Sequence, residues 1–193
     1  MSKAPENIGD NGPDFHVNSP SDLACFEETE RWHDRDEFLA IADERLDAGT
    51  ISITLVEDRR LAFVAWLAPA TEKSTFGYVR QTVHFPPKTA TEYGVYVHPE
   101  FRRRGLLRQG LEFMSVHAFA ETDTDILLGA VHDDNHAALR GHIDAGFENI
   151  ATLTEKRLFG TARSSVGVHA TGFEFLRMPD SRDTWSLAKA AIR

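Results

Sequence analysis

The segment between residues 91 and 120 constrains the fold most, because its hydrophobic period changes from that of a strand to that of a helix. Residues 91–97, TEYGVYV, have the β-branched and aromatic content that is typical of a strand, and Pro99 ends this pattern. From Gly105 onward apolar residues recur three and four positions apart, which predicts a helix to about Ala120. A short turn, HPEFRRR, therefore leads from the strand into the helix.

The same order of strand and helix follows immediately afterwards. The apolar run DILLGAV, residues 125–131, predicts a strand that is covered on both faces. Residues 135–145 predict a second helix, capped by Asp133 or Asp134 and ended by Gly146. A strand and helix that occur twice in succession indicate a sheet with helices packed against it.

The flanking segments predict further elements. Residues 34–49 predict a helix, residues 51–68 predict an antiparallel hairpin, and the proline-containing residues 69–90 predict a loop with one short strand. Two closing strands and a final short helix are predicted for residues 147–160, 168–178 and 181–193. The fold class is therefore α/β, in the mixed α+β sense.

The length of 193 residues fits a single domain with its own hydrophobic core. The first 20 residues are polar, so we expect a partly mobile segment over 1–20 and one domain over 21–193. The single cysteine, Cys25, excludes an internal disulfide framework and fits a reducing compartment, so a cytoplasmic location is expected. No apolar run is long enough for a transmembrane helix.

The turn HPEFRRR concentrates positive charge in an acidic chain. The formal net charge of −9 argues against nucleic acid or an anionic membrane as a general partner. Residues 61–110 nevertheless carry 3 acids and 7 bases, and Arg102, Arg103 and Arg104 lie near the end of this segment. A local cation cluster of this kind indicates a small anionic ligand.

A phosphate group suits the start of the helix that follows the turn. The first N–H groups of a helix have no intrahelical acceptor, and the helix dipole adds positive potential there. Gly105 also lets the backbone approach a ligand closely. The turn is neither a Walker A loop nor a Rossmann turn, because G-x-x-x-x-G-K-[ST] and G-x-G-x-x-G are both absent.

Two motifs resemble the GCN5-related N-acetyltransferase (GNAT) family. VHPEFRRRGLL is similar to the family's V-x-P-x-[FY]-R and the glycine-containing helix start that follows it, except that Leu107 stands where Gly or Ala is usual. NHAALRGHIDAGF, residues 135–147, is similar to the family's second motif, with His142 where a tyrosine is usual. The motif resemblance covers about residues 91–147.

The resemblance implies a GNAT-like central mixed, mostly antiparallel sheet, with a splayed pair of parallel strands and helices on both faces. It also implies that acetyl-CoA binds with its pyrophosphate on the backbone N–H groups between Arg103 and Arg108. The pantetheine arm would pair with the strand at Tyr96 and Val97 and accept a hydrogen bond from Asn135. The residues that the resemblance assigns to the cofactor are Tyr96, Val97, Arg102, Arg103, Arg104, Gly105, Leu106, Leu107, Arg108 and Asn135.

Two residues are catalytic candidates by resemblance. His142, in place of the tyrosine, is the candidate acid for the leaving thiolate, and Glu92 is the candidate base for the amine. The alternative for His142 is an exposed helix histidine, and the alternative for Glu92 is a solvated carboxylate at a strand end. Tyr93 and His84 are weaker candidates for the base. A backbone N–H near Val97 is the expected oxyanion donor.

The function that follows is transfer of an acetyl group from acetyl-CoA to a primary amine, by direct attack in a ternary complex. Two alternatives stay open: a non-catalytic acyl-CoA-binding regulatory module on the same fold, and an unrelated α+β interaction domain. No metal, nucleic-acid or membrane partner is expected, and the acidic surface favours a cationic acceptor. The oligomeric state is open, with a homodimer as one alternative.

Overall fold

A computed structural model of the chain describes residues 12–30, 34–158, 161–179 and 183–189. Its helices and strands, in chain order, are β1 (His16–Val17), α1 (Pro20–Leu23), α2 (Arg35–Asp47), β2 (Ile51–Glu57), β3 (Arg60–Ala68), β4 (Lys73–Phe76), β5 (Gln81–His84), β6 (Thr89–Val97), α3 (Leu106–Glu121), β7 (Ile126–Gly129), α4 (His136–Asp144), β8 (Ala151–Leu158), β9 (Thr161–Val168), β10 (Phe173–Arg177) and β11 (Thr184–Lys189).

The central sheet has five strands in the order β1-β2-β3-β6-β7. Neighbouring strands run antiparallel except β6 and β7, which pair in parallel. The hairpin of β2 and β3 turns at Asp58 and Arg59, whose positive φ angles of 51° and 62° match a two-residue turn of the primed type. The predicted mixed, mostly antiparallel sheet is thus confirmed.

Successive side chains of β3 point to opposite faces of the central sheet. A helix packs on each face. Phe63 packs with Met114 of α3 in one hydrophobic core. Val64 and Trp66 pack with Phe38 of α2 in a second core on the other face. The two cores fix the positions of α2 and α3 relative to β6, the strand that leads into the first of the two motifs.

The parallel strands β6 and β7 diverge after a short paired stretch. Their pairing stops where Glu92 lies opposite Gly129. β6 continues to Val97, and among the described residues no strand pairs with this last part on the side of β7. An open gap therefore lies along the second half of β6, as the splayed pair predicts.

A β-bulge interrupts the other edge of β6. From Tyr93 to Tyr96 this strand advances three residues, whereas its partner β3 advances only two, from Trp66 to Val64. Gly94 lies in the bulge with a φ of +60°. A glycine inside a strand pattern is the sequence signal of such a bulge.

The strand over residues 125–131 is less buried than predicted. Ile126, Leu127 and Leu128 are only partly buried, and Gly129 is exposed. β7 is the edge strand of the central sheet, so no further strand shields it. Leu127 packs against the core that contains Phe63, and Leu128 packs against the cluster of Val83, Trp185 and Leu187. Both faces of β7 are therefore covered as predicted, but only in part.

A second sheet, in the order β10-β11-β5-β4, joins residues far apart in the sequence. Residues 69–90 contribute the hairpin β4–β5 rather than a loop with one strand. β8 and β10 correspond to the two predicted closing strands, whereas β9, which pairs with β8, was not predicted.

The tail predicted as a helix contains β11 in its described part. Trp185 and Leu187 are buried and alternate with the less buried Ser186 and Ala188, which is the period of a strand. The indole N–H of Trp185 donates to Gln81 Oε1 over 2.8 Å. The helix prediction is wrong because pairing with β5 and β10, rather than local propensity, decides this segment.

The expected domain boundary at residue 20 stays a prediction, since residues 1–11 lie outside the described residues. In the rest of that segment, β1 pairs with β2 and Phe15 lies in the same core as Phe63.

Candidate active site

The turn after β6 exposes backbone donors at the start of α3. Arg103 and Gly105 have positive φ angles of 64° and 79°. Gly105 is the N-cap of α3, and no side chain caps the helix there. The N–H groups of Leu106, Leu107 and Arg108 belong to the first turn, so they have no intrahelical acceptor. This helix start can therefore donate several hydrogen bonds to an anion.

The arginine side chains contribute less free charge than the sequence indicates. Three of the four arginines between residues 102 and 108 are paired with carboxylates: Arg102 with Glu30, Arg104 with Glu57 and Arg108 with Glu112. Arg103 alone has no ion-pair partner among the residues that the structure describes. The backbone N–H groups, rather than an arginine cluster, are thus the principal anion donors here.

Arg102 links the turn to neighbouring segments instead of projecting freely. Its Nη1 donates to Glu30 Oε1 over 2.9 Å, and its Nε donates to the backbone oxygen of Val97 over 3.0 Å. Nearby, the hydroxyl groups of Tyr96 and Thr29 lie 2.8 Å apart. These contacts hold residues 29–30 beside the end of β6 and stabilise the turn.

Leu107, the residue that departs from the family motif, packs against α4. Its side chain joins the core that contains Leu106, and it lies so close to Gly141 that a Cβ on this glycine would overlap Leu107 Cδ2. The side chain therefore occupies space between the two helices. The backbone N–H of Leu107 remains part of the open helix start.

Val97, rather than Tyr96, presents backbone groups to the gap beside β6. The N–H of His98 donates to the oxygen of Ala62 on β3 over 3.0 Å. Hydrogen bonding alternates along an antiparallel ladder, so the preceding residue, Val97, directs its N–H and C=O to the opposite edge. By the same alternation the polar backbone groups of Tyr96 face β3.

His142 and Glu92, fifty residues apart in sequence, meet at the apex of this gap. His142 Nε2 lies 2.8 Å from Glu92 Oε1, and His142 Nδ1 lies 2.8 Å from the backbone oxygen of Ala138. A carbonyl oxygen only accepts, so Nδ1 must carry a proton. One further proton is then required between Nε2 and Oε1. The predicted acid and the predicted base therefore share a single hydrogen bond.

Both members of this pair are buried. Glu92 is 5% exposed and His142 is 8% exposed, so the exposed histidine and the solvated carboxylate that we considered as alternatives are wrong. Burial alone would lower the pKa of His142, but the hydrogen bond to Glu92 and its charge outweigh burial and raise this pKa above 6.5. The hydrogen bond to Glu92 thus favours the protonated form of His142 in spite of its burial.

Glu92 keeps one oxygen free for another partner. Its Oε2 is buried and has no hydrogen-bond partner among the described residues. Gly129 makes room for this side chain, since a Cβ there would overlap Glu92 Oε1. A buried carboxylate oxygen without a hydrogen-bond donor is costly, so Oε2 is an available acceptor for a donor from outside the described residues.

Asn135, Tyr93 and His84, the other residues predicted for the site, each have contacts of their own. Asn135 caps α4 with its side-chain oxygen, which accepts from the N–H of Ala138 over 3.1 Å, so it replaces the predicted Asp133 or Asp134. Tyr93 pairs with Trp66 across the ladder to β3. His84 lines a cavity of about 380 Å³ with Glu72 and Lys88, beside the start of β6.

Neither a metal cluster nor a membrane helix occurs in the part of the chain that the structure describes. No group of three or more His, Cys, Asp or Glu side chains there is arranged to hold a metal ion. Within the same ranges no helix combines the length and apolar character needed to cross a membrane.

Solved structures with a similar fold come from several acetyltransferases, all of them distant in sequence. The aminoglycoside acetyltransferase AAC(6')-Iy, in complex with the bisubstrate analogue CoA-S-monomethyl-acetylneamine, aligns with a TM-score of 0.54 and 18% identity over 77% of this chain and 97% of its own. The yncA protein of Salmonella typhimurium with acetyl-CoA gives a TM-score of 0.50 and 19% identity over 82% and 94% of the two chains. A GNAT-family acetyltransferase of Streptococcus pneumoniae gives 0.50 and 13% over 81% and 100%.

The sequence comparison agrees with these structural similarities. No curated protein matches the chain. The model of the acetyltransferase (GNAT) family, however, matches residues 17–147, which include the turn at α3, the Glu92–His142 pair and both motifs. Since this match spans well over half of the sequence, the chain belongs to the GNAT acetyltransferase family.

Proposed function

We propose that this protein transfers an acetyl group from acetyl-CoA to a primary amine by direct attack in a ternary complex. The observation that carries the proposal is the buried Glu92–His142 pair at the apex of the gap between β6 and β7. The Glu92–His142 pair then lies at one end of the unpaired edge of β6. The start of α3, which can bind an anion, lies at the other end.

The cofactor is proposed to lie along this edge. Its pyrophosphate accepts hydrogen bonds from the N–H groups of Leu106, Leu107 and Arg108. Arg103, which has no ion-pair partner among the described residues, supplies a cation beside it. Its pantetheine arm follows the gap past the N–H of Val97, and the side-chain amide nitrogen of Asn135 donates to it. Solved structures with a similar fold contain CoA-type ligands, which supports a CoA-type co-substrate for this chain.

The chemistry requires a neutral amine, an oxyanion donor and a proton for the leaving thiolate. The amine nitrogen attacks the thioester carbon, a C–N bond forms and the C–S bond breaks. Glu92 Oε2 accepts the proton that the amine loses, and the backbone N–H of Val97 is the proposed oxyanion donor. The Nε2–H of His142 turns from Glu92 to the thiolate and gives up its proton, and Glu92 then returns the proton taken from the amine to Nε2. The pair therefore gains and loses one proton per turnover.

The proposal is tested by measuring acetyl-CoA binding and CoA release separately over a panel of amines. We expect Glu92→Gln to lower kcat by about 10²–10⁴-fold while acetyl-CoA still binds, because a general base contributes on this scale. Glu121→Gln, an exposed carboxylate at the end of α3, is the matched control.

Other outcomes point to the alternatives. Tight acetyl-CoA binding without turnover of any amine would favour the non-catalytic regulatory module. Equal rates for His142→Phe and the wild type across pH 6–9 would contradict the role of His142 as the acid. A cytoplasmic location and a homodimer stay predictions, to be checked by fractionation and by light scattering.

A further inference from the structure

Gly129 occupies a strand position whose backbone does not require a glycine. It is the last residue of β7, and it lies opposite Glu92 in the parallel register with β6. Its φ is not positive, unlike that of Gly94 in the bulge of β6. Glycine weakens a strand, because it loses more conformational freedom on folding and offers no side chain to pack. The presence of glycine at this position therefore requires another reason.

The side chain of Glu92 fills the space that a side chain at position 129 would take. A Cβ built on Gly129 would overlap Glu92 Oε1, and it would lie 2.8 Å from Cδ and 3.0 Å from Cγ of the same residue. A methyl group there and this carboxylate cannot both be present without a shift. The neighbouring pair on the same face, Ala90 and Leu127, also combines a small and a large residue, but with the small one on β6.

The carboxylate of Glu92 cannot turn away from position 129 and keep its bond to His142. The oxygen that a Cβ would overlap, Oε1, is the one that lies 2.8 Å from His142 Nε2. The imidazole is held by the carbonyl oxygen of Ala138, 2.8 Å from Nδ1, and its ring centroid lies 5.3 Å from that of Phe147. Because these contacts fix His142 from its other side, the imidazole could not follow a displaced carboxylate.

We propose that Gly129 is a positioning residue for acetyl transfer: the absence of a side chain at this position holds the Glu92 carboxylate against His142. This inference rests on the proposed function, because the function makes the pair catalytic. The contact between Gly129 and Glu92 is nevertheless measurable without turnover. Any side chain at position 129, a methyl group included, separates the proposed base from the proposed acid.

The test compares Gly129→Ala with Gly77→Ala, which lies between β4 and β5. Gly77 also lacks a positive φ, and a Cβ built on it meets no atom within 4 Å, so it is the matched control. Nuclear magnetic resonance titration of the His142 imidazole is the first readout. We expect Gly129→Ala to lower the pKa of His142, because a displaced carboxylate no longer opposes the effect of burial. Gly77→Ala should leave this pKa unchanged.

CoA release and CoA binding give the second readout. We expect the kcat of Gly129→Ala to fall about 10- to 100-fold, since a misplacement of about 1 Å at a catalytic centre costs on this scale. CoA should still bind, so the loss appears in kcat rather than in Kd. A glycine with a merely structural role would change stability without moving the pKa of His142.

Glu92→Ala provides a background in which position 129 has free space. In this background Gly129→Ala should leave the melting temperature unchanged or raise it, whereas in the wild type the same change should lower it. If Gly129→Ala does not fold in the wild type, its folding in the Glu92→Ala background demonstrates the overlap.

The outcomes separate the role of Gly129 from the proposed function. An unchanged pKa of His142 in Gly129→Ala, an equal loss of stability in the two backgrounds, or failure to fold in both would overturn the positioning role. Wild-type protein that turns over no amine would contradict the proposed function, and the titration of His142 would then decide whether Gly129 positions the pair.

Discussion

At the scale of single residues, Glu92 and His142 change each other's chemistry. An isolated buried histidine would be neutral, because burial disfavours its charged form. The carboxylate at 2.8 Å reverses this and stabilises the imidazolium. A neutral imidazole is a poor proton source, so the raised pKa strengthens His142 as the proposed acid.

Glu92→Gln is expected to lower the pKa of His142 below 6.5, because burial then acts without the opposing carboxylate. Nuclear magnetic resonance titration of the imidazole gives this pKa directly. Glu121→Gln should leave it unchanged. A His142 pKa that stays raised in Glu92→Gln would show that another group holds the proton.

The same pair makes stability depend on pH. The pKa of His142 is higher in the folded state than in the unfolded chain, so its contribution is fully present below about pH 6.5 and is lost as pH rises through the folded-state pKa. The difference in unfolding free energy between wild type and Glu92→Gln should therefore shrink as pH increases. His16, whose pKa is raised by its hydrogen bond to Asp22, titrates in both proteins and cancels in this difference.

At the scale of elements, α3 and α4 fit together through one large and one small residue. Leu107 fills the space above Gly141, so each constrains the size of the other. A larger residue at position 107 therefore does not obstruct the helix start, since the partner helix provides a glycine to receive it.

A double-mutant cycle tests this packing. Gly141→Ala should destabilise the wild type, because overpacking costs about 1–3 kcal/mol. In a Leu107→Ala background the clash is gone, and the same change should stabilise by up to about 1 kcal/mol through helix propensity. Urea unfolding measures both, and an equal effect in the two backgrounds would mean that the side chains do not interact.

At the scale of the whole molecule, the second sheet joins segments that the sequence separates widely. Trp185 of β11 packs with Val83 of β5 and Leu187, and Leu128 of β7 lies against the same cluster. The central sheet and the second sheet therefore share apolar contacts. The second sheet combines β4 and β5, which lie within the family match, with β10 and β11, which lie beyond its end at residue 147.

Trp185→Ala is expected to lower the unfolding free energy by about 3–5 kcal/mol, because it removes a large buried ring. Trp185→Phe should cost less but still leave the buried Gln81 oxygen without its donor. Chemical denaturation measures both. Leu176→Ala on β10, where the side chain is 50% exposed, is the control and should have a small effect.

Local patterns in the sequence determined the strand, turn and helix around Gly105. Hydrophobic period and glycine conformation act over a few residues, so the open helix start could be predicted with the family motifs. The hairpin of β2 and β3 and the helix over residues 34–49 were predictable for the same reason, since α2 begins after its cap Asp34 and ends near Gly49.

Only the tertiary structure decided which groups meet. Glu92 and His142 are fifty residues apart, and the fold alone brings them to one hydrogen bond. The glutamates that neutralise the arginines of the turn come from other elements, and β11 is a strand because β5 and β10 pair with it. Charge pairing, burial and strand pairing depend on distant contacts, so the sequence identified the candidate residues and the fold determined their protonation and partners.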